Sequence, residues 1–326
     1  MNQPNPWLSV VIPVRGACET LPGCLEALAR LEGEGVEALV VGCGGRGETP
    51  HPTPRGPAEA GLPTRVLASP AGGAMAARNL GVARARGRVI LFIPPDCLAP
   101  PGLAARLKRH FERPSAAAVG GGLRPANPES PLAQLCGLEA AYDQTVAADP
   151  RPAPYCAAFS RRAWLAAGLD RRPPGDDREL CDRLLARGGE IIMDPDIFVY
   201  RPLPATWPEA WRRQVQRGRD MSPAGRRTPG PGDGEPGGAL PGRLQPIIIL
   251  IALGLLAFLG PQAPQAALTL ALVCLLSLYF LNRPFLKFVS QKEPALLNRA
   301  LALCFLRPAA WLAGLAAAAL KRLGGN

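Results

Sequence analysis

Acidic residues at element boundaries are the first candidates for chemistry in this chain. Asp96 follows the apolar run Val89-Ile90-Leu91-Phe92-Ile93 and the pair Pro94-Pro95, and Asp176-Asp177 open an amphipathic helical pattern running to Arg187. Carboxylates hold divalent cations and remove protons. Acids in a first helical turn also favour the helix dipole with no catalytic role. Other constellations are weaker. His51 and His110 are the only histidines, without paired ligand spacing, which argues against a zinc site or a Ser-His triad. The nine cysteines are scattered with no C-x-x-C pair, so reduced thiols are expected rather than a disulfide framework. Gly42 to Gly47 follows a strand pattern but lacks the phosphate-cradling G-x-x-x-x-G-K-[ST]. Leu103 to Phe111 carries Arg106, Lys108 and Arg109 with no aromatic interleaving, so it reads as a solvated face and no nucleic-acid partner is expected.

The elements that must position the acids alternate. Leu8 to Pro13, Ala38 to Val41, Thr64 to Leu67 and Val89 to Ile93 are short apolar runs that read as buried strands. Glu19 to Leu31 and Gly73 to Arg86 have helical patterns between them, and the stretch up to Pro63 reads as a loop. This rhythm implies βαβ units and an α/β fold with a doubly wound, mostly parallel sheet. Ligands bind such sheets at the carboxyl ends of the strands, so the segments after Val41 and Ile93 face a shared crevice. Further on, Gly102 to Phe111 and Pro131 to Ala147 read as helices, and Ala117 to Gly122 as a short strand and turn. Tyr155 to Phe159 reads as a strand, Ser160 to Ala167 as a helix capped by Ser160, and Glu190 to Met193 as a strand.

Five segments, in order, carry a resemblance. Ser9-Val10-Val11-Ile12-Pro13-Val14-Arg15 looks like "SVVIPVYN", Ala74 to Gly81 like "AAARNxG", and Gly87 to Asp96 like "GEYILFLDADD". Gly175 to Leu184 looks like "GEDxELCxRL", and Arg213-Gln214-Val215-Gln216-Arg217-Gly218-Arg219 like "RQxxRxGR". Together, from Leu8 to Arg219, they resemble family 2 glycosyltransferases of the GT-A fold. The resemblance implies sugar transfer from a nucleotide-sugar donor, with Mg or Mn as a divalent cation. It implies Asp177 as the base, with Asp176 beside it. It also implies Pro13, Arg15, Arg78, Asn79, Asp96, Arg201, Gln214 and Arg217 as donor-binding residues, Asp96 being the metal ligand.

Departures from the family pattern concentrate on the donor side. Gly42-Cys43-Gly44-Gly45 stands where relatives carry acids, Pro94-Pro95-Asp96 where they carry "DAD", and Tyr200-Arg201 where many have "VYH". Proline at two positions also stiffens the turn and removes two backbone donors. Two readings follow. Either Arg201 and other basic residues replace part of the cation's charge, or the head is a degenerate partner of a glycan-assembly enzyme. Arginine suits the first through its planar fork of donors.

The last quarter of the chain is different. Pro246 to Leu259 and Ala266 to Leu281 are free of charge and joined by the uncharged turn Gly260 to Pro264. They read as a transmembrane hairpin, about 246–260 and 265–282, each at the short edge of the roughly 17–25 residues a span needs. Arg226, Arg227 and Arg243 precede it and Arg283, Lys287 and Lys292 follow it, so both ends are expected in the cytoplasm. Ala295 to Leu320, interrupted by Arg299 and Arg307-Pro308, reads as an interfacial or third membrane helix. The expected organisation is a head over 1–225, a Pro/Gly-rich linker over 226–243 and a membrane region over 244–326. Met1 to Trp7 has no signal-peptide pattern, so the head is expected in the cytoplasm. The +11 formal charge comes almost wholly from arginine, which suits a GC-rich bacterial genome and equally an anionic lipid or phosphorylated substrate. A lipid-linked or cell-envelope acceptor at the bacterial inner membrane is therefore expected.

Overall fold

The computed structural model describes residues 6–31, 35–44, 61–70, 73–145, 151–152, 155–167, 177–221 and 240–323. The elements run β1 (Leu8–Val14), α1 (Leu21–Ala29), β2 (Val36–Gly42), β3 (Thr64–Ala68), α2 (Ala74–Arg84), β4 (Val89–Phe92), α3 (Leu103–Phe111), β5 (Ala116–Pro125) and α4 (Pro131–Thr145). They continue with β6 (Ala157–Ser160), α5 (Arg161–Ala166), α6 (Asp177–Leu185), β7 (Glu190–Arg201), α7 (Trp207–Met221), α8 (Leu240–Leu259), α9 (Pro264–Lys292), a 3-10 turn at Pro294–Leu296 and α10 (Leu297–Leu323). Two compact units result, one within Met1–Ala126 and Ala148–Pro202, the other within Asn127–Ala147, Leu203–Arg227 and Pro236–Asn326.

The first unit is built on a seven-stranded sheet in the order β3-β2-β1-β4-β6-β5-β7. β1 pairs in parallel with β2 and β4, β2 with β3, and β5 with β7, while β6 runs antiparallel to both β4 and β5. The sheet is thus mostly parallel, as the alternating pattern predicts. β1, β2 and β4 are buried along their whole length, which is why their sequences are apolar runs broken only by Ser9 and Glu37 rather than alternating ones. Phe92, Phe159 and Trp164 pack with centroid distances of 5.4, 6.2 and 5.9 Å beside Val11, Leu39, Val41 and Ile90. Ser160 caps α5 by accepting from the Ala163 N–H, as expected.

Two motif glycines have packing reasons. A Cβ at Gly81 would stand 2.3 Å from Val11 Cγ1, so α2 lies on β1 more closely than alanine permits. A Cβ at Gly87 would stand 2.6 Å from the Ser9 backbone nitrogen. Around Gly120-Gly121-Gly122 the outcome differs from the expected turn. β5 continues through the glycines to Pro125 because β7 bulges against them: Gly120 pairs with Met193 and Gly122 with Phe198. A Cβ at Gly121 would meet the Ile197 carbonyl oxygen at 2.5 Å. The strand expected to end at Met193 likewise crosses the bulge at Pro195 and reaches Arg201.

The second unit gathers α4, α7, α8, α9 and α10, so two helices from the expected head region group with the C-terminal ones. Their shared core holds Leu132, Leu135, Ala210, Phe285, Val289, Ala300 and Leu303. α7 and α10 cross at glycines: a Cβ at Gly218 would be 2.3 Å from the Trp311 oxygen, and one at Gly314 2.1 Å from the Val215 oxygen. α9 outlasts the apolar run expected to end at Leu281, continuing past Pro284 to Lys292, because Phe285, Leu286 and Val289 are buried in this core. Among the described residues α9 and the stretch Pro294–Leu320 are long and apolar enough to cross a membrane, whereas the apolar part of α8, Gln245–Leu259, is shorter. Large apolar side chains on the hairpin, including Leu250, Leu253, Phe258, Leu268, Leu272 and Phe280, are exposed.

Candidate functional site

In the first unit the carboxyl ends of β1, β2, β4 and β7 lie at one edge of the sheet, since β6 runs against both β4 and β5 and so returns β5 and β7 to the direction of β4. Pro13 is buried within β1, and Arg15, just beyond it, is exposed. Cys43 follows β2, donates its N–H to the Val14 carbonyl at 2.8 Å and accepts from Gly73 N–H at 2.8 Å. That second bond ties the start of α2 to the edge. Burial pushes the Cys43 thiol up to about 11, against the opposing pull of the nearby Arg15 and Arg78 charges. Arg78 is 4% exposed, with its guanidinium 5.6 Å from the Phe92 ring centroid. Asn79 is half-buried beside it on α2.

Asp96 and Arg201 form the ion pair of this edge. Arg201 donates from Nε to Asp96 Oδ2 at 2.7 Å, and its second terminal nitrogen lies 2.7 Å from the same oxygen. A backbone bridge fixes the two partners: Leu98 N–H donates to the Tyr200 carbonyl at 2.7 Å and Tyr200 N–H returns to Leu98 at 2.9 Å. The other Asp96 oxygen accepts from the Cys97 thiol at 3.7 Å. Burial, reinforced by the Asp96 charge, holds both Cys97 and Cys24 well above the ordinary thiol range, so neither offers a thiolate. Among the described residues no group of three or more His, Cys, Asp or Glu is placed to hold a metal ion.

Of the remaining sequence-based candidates, Asp176 lies outside the described residues, and Asp177 is described only as the first residue of α6. Gln214 and Arg217 lie in the second unit, within a polar network that sequence reasoning missed. Glu139 on α4, 2% exposed, accepts from Arg307 at 3.0 Å, Arg217 at 3.4 Å and Gln214 at 3.4 Å. Gln214 in turn accepts from Trp311 Nε1 at 2.8 Å, and Arg307 reaches Gln245 and Asn282. Burial opposes the Glu139 charge, yet Arg217 and Arg307 outweigh it and hold the carboxyl below its usual range. Burial and the Glu139 charge push Asp143 up to about 6. The available signals are an acid inside the α4 pattern and the Gln-x-x-Arg spacing, but only helix packing brings them together.

A second missed acid serves the opposite edge of the sheet. Glu37, 1% exposed, accepts from Ser9 Oγ at 2.7 Å, from Arg86 N–H at 2.8 Å and from its guanidinium at 2.9 and 3.1 Å. It belongs to the stability of the sheet rather than to the carboxyl-end site. All nine cysteines are free thiols, as their scatter predicts.

Comparison with known proteins agrees with the first three of the motif segments. Residues 9–161 match the family described as Glycosyl transferase family 2. Among solved structures, the chain is similar to a mannosyltransferase from Pyrobaculum calidifontis in complex with GDP-Man and Mn2+. That likeness has 19% identity and a TM-score of 0.53, and covers 99% of this chain and 88% of that one. The chain also aligns with a mycobacterial protein (17% identity, TM-score 0.43, 64% of this chain and 72% of that one). Residues 1–349 of TarS from S. aureus align with 12% identity and a TM-score of 0.44 over 98% of this chain and 92% of that one. No curated protein matches the sequence.

Proposed function

We propose that this chain, whose residues 9–161 match glycosyltransferase family 2 and whose fold is of the GT-A type, moves a sugar from a nucleotide-diphosphate donor to a lipid-linked or cell-envelope acceptor. The observation that carries the donor half is the basic carboxyl edge: Arg15, Arg78 and the Asp96–Arg201 pair gather where strand ends of a parallel sheet receive ligands. In the reaction the acceptor hydroxyl loses its proton to the Asp177 carboxylate as its oxygen bonds the anomeric carbon. The bond from that carbon to the phosphate oxygen breaks, and its electron pair leaves on the diphosphate. Guanidinium N–H groups suit that developing charge through their planar fork.

The fold accommodates a divalent cation, the similar mannosyltransferase having been solved with GDP-Man and Mn2+. In this chain the described residues fit such an ion poorly. Asp96 is already paired with Arg201, and Pro94-Pro95 offer no side-chain oxygen beside it. No step here is routed through a metal.

The acceptor half rests on the second unit. Apolar side chains exposed along α8 and α9 support membrane association and, with it, a reaction at a membrane surface. The flanking arginines and lysines support a cytoplasmic head at a bacterial inner membrane.

The direct test incubates purified full-length protein with a panel of nucleotide sugars and reads donor hydrolysis and binding. Turnover that Asp177→Asn abolishes, with unfolding behaviour unchanged, is the expected result. Binding and turnover with no donor would refute the transferase reading and leave the degenerate partner role.

A further inference from the structure

We propose that Arg201 is the built-in cation of the donor site, so that this chain handles the diphosphate of its donor without a divalent metal ion. The inference deepens the transferase reading and rests on it. A carboxylate that serves a metal must present an oxygen to it; magnesium arriving with a diphosphate takes one or two protein carboxylates and keeps several waters. Here Asp96 Oδ2 already faces two nitrogens of one guanidinium, both at 2.7 Å. The pair is not a chance surface contact. Asp96 stands two residues before Leu98 and Arg201 one residue after Tyr200, and the Leu98–Tyr200 bridge joins the two segments through both of its hydrogen bonds. The Arg201 side chain is 16% exposed and that of Asp96 31%, so an ion reaching Asp96 meets a cation already seated against one of its two oxygens in the wall of the site.

Two further arginines lie at the same edge: Arg15 is exposed just beyond β1, and Arg78 is buried near Cys43. The arginines differ from an ion in being fixed to the fold. They need no metal affinity, and they present planar N–H groups that match phosphate oxygens in pairs. The bulge in β7 is what lets that strand run on to carry Arg201 to the edge.

The test has two arms on the full-length protein. In the first, Mn2+ alone is titrated and free ion is read by electron paramagnetic resonance. Wild type and Asp96→Asn are expected to bind Mn2+ alike, and Arg201→Ala to gain one site that the added Asp96→Asn change removes. An Asp96-dependent Mn2+ site in wild type, or no gained site in Arg201→Ala, overturns the proposal. In the second arm, binding of GDP, UDP and their sugars is measured in EDTA and in Mn2+. Wild-type affinity should agree within about twofold between the two, while Arg201→Ala in EDTA loses on the order of tenfold to a hundredfold. Arg201→Lys, which keeps the charge without the fork, should recover part of that loss. Wild-type binding that vanishes in EDTA also overturns it. If no nucleotide binds at all, the transferase reading falls, and the Mn2+ arm still decides what Arg201 does to Asp96.

Discussion

Replacing Glu139 with glutamine is the sharpest test of the second unit. Glu139 is 2% exposed and faces Arg307 at 3.0 Å and Arg217 at 3.4 Å, so neutralising it strands two guanidiniums among the helices. Removing one partner of a buried pair costs about 3–5 kcal/mol. Two features place this case at the lower end of that range. The Arg217 side chain keeps 20% exposure, and Asp143, no longer opposed by a charged Glu139, ionises more readily and compensates in part. A loss of about 3 kcal/mol corresponds to an apparent unfolding temperature lower by on the order of 10 °C for a domain of this size. Thermal unfolding of detergent-solubilised protein reads it, with near-ultraviolet circular dichroism following Trp311, which donates to Gln214 in the same network. The Glu139→Gln, Arg307→Met double variant should be no less stable than Glu139→Gln alone, because the more buried of the two stranded charges is then gone. A shift below about 2 °C, or strictly additive losses in the double variant, would refute the reasoning.

The other expectations are briefer. Glu37→Gln should destabilise the first unit by roughly 2 kcal/mol, since the bidentate bond from Arg86 and the bond from Ser9 meet one buried carboxylate. Burial works against the Glu37 charge, but Ser9 and Arg86 hold its carboxyl below the ordinary value of 4.5. Its contribution is therefore present above that pH and lost as pH falls through the folded value, and Glu37→Gln should shrink this acid loss in urea titrations. Asp143 has the opposite sign: raised from 3.8 to about 6, it weakens the fold as pH rises through that window, so Asp143→Asn should be the more stable protein above pH 6. Gly218→Leu should separate α7 from α10, because a Cβ at that position would stand 2.3 Å from the Trp311 oxygen. It should lower the unfolding temperature more than Gly254→Leu, where nothing lies within 4 Å.

Much of the first unit was legible because its signals are local. Apolar runs gave β1, β2 and β4, helical spacing gave α1 and α2, and Ser160 gave a cap, each within a few residues of chain. The segments after β2 and β4 could be assigned to one sheet edge for the same reason, since parallel topology follows from the βαβ rhythm. The motif glycines are visible as letters, but their reason is not: Gly81 and Gly87 are required by Val11 and Ser9, far away in sequence.

What only tertiary structure decided lies in pairings across long separations. Asp96 and Arg201 both read as donor-site residues, yet that they neutralise each other depends on a bulge in β7 and a bridge at Leu98. Gln214 and Arg217 read as donor contacts from their resemblance to a family motif, and the fold surrounds them with Glu139, Arg307 and Trp311 from helices they never adjoin in sequence. The apolar run alone predicts that α9 stops at its end; burial of Phe285 and Val289 carries the helix onward. Sequence alone determined which residues are apolar, which can carry charge and roughly where most strands and helices fall. Which charges meet was decided by packing, because an ion pair depends on distance in space and the chain records only order.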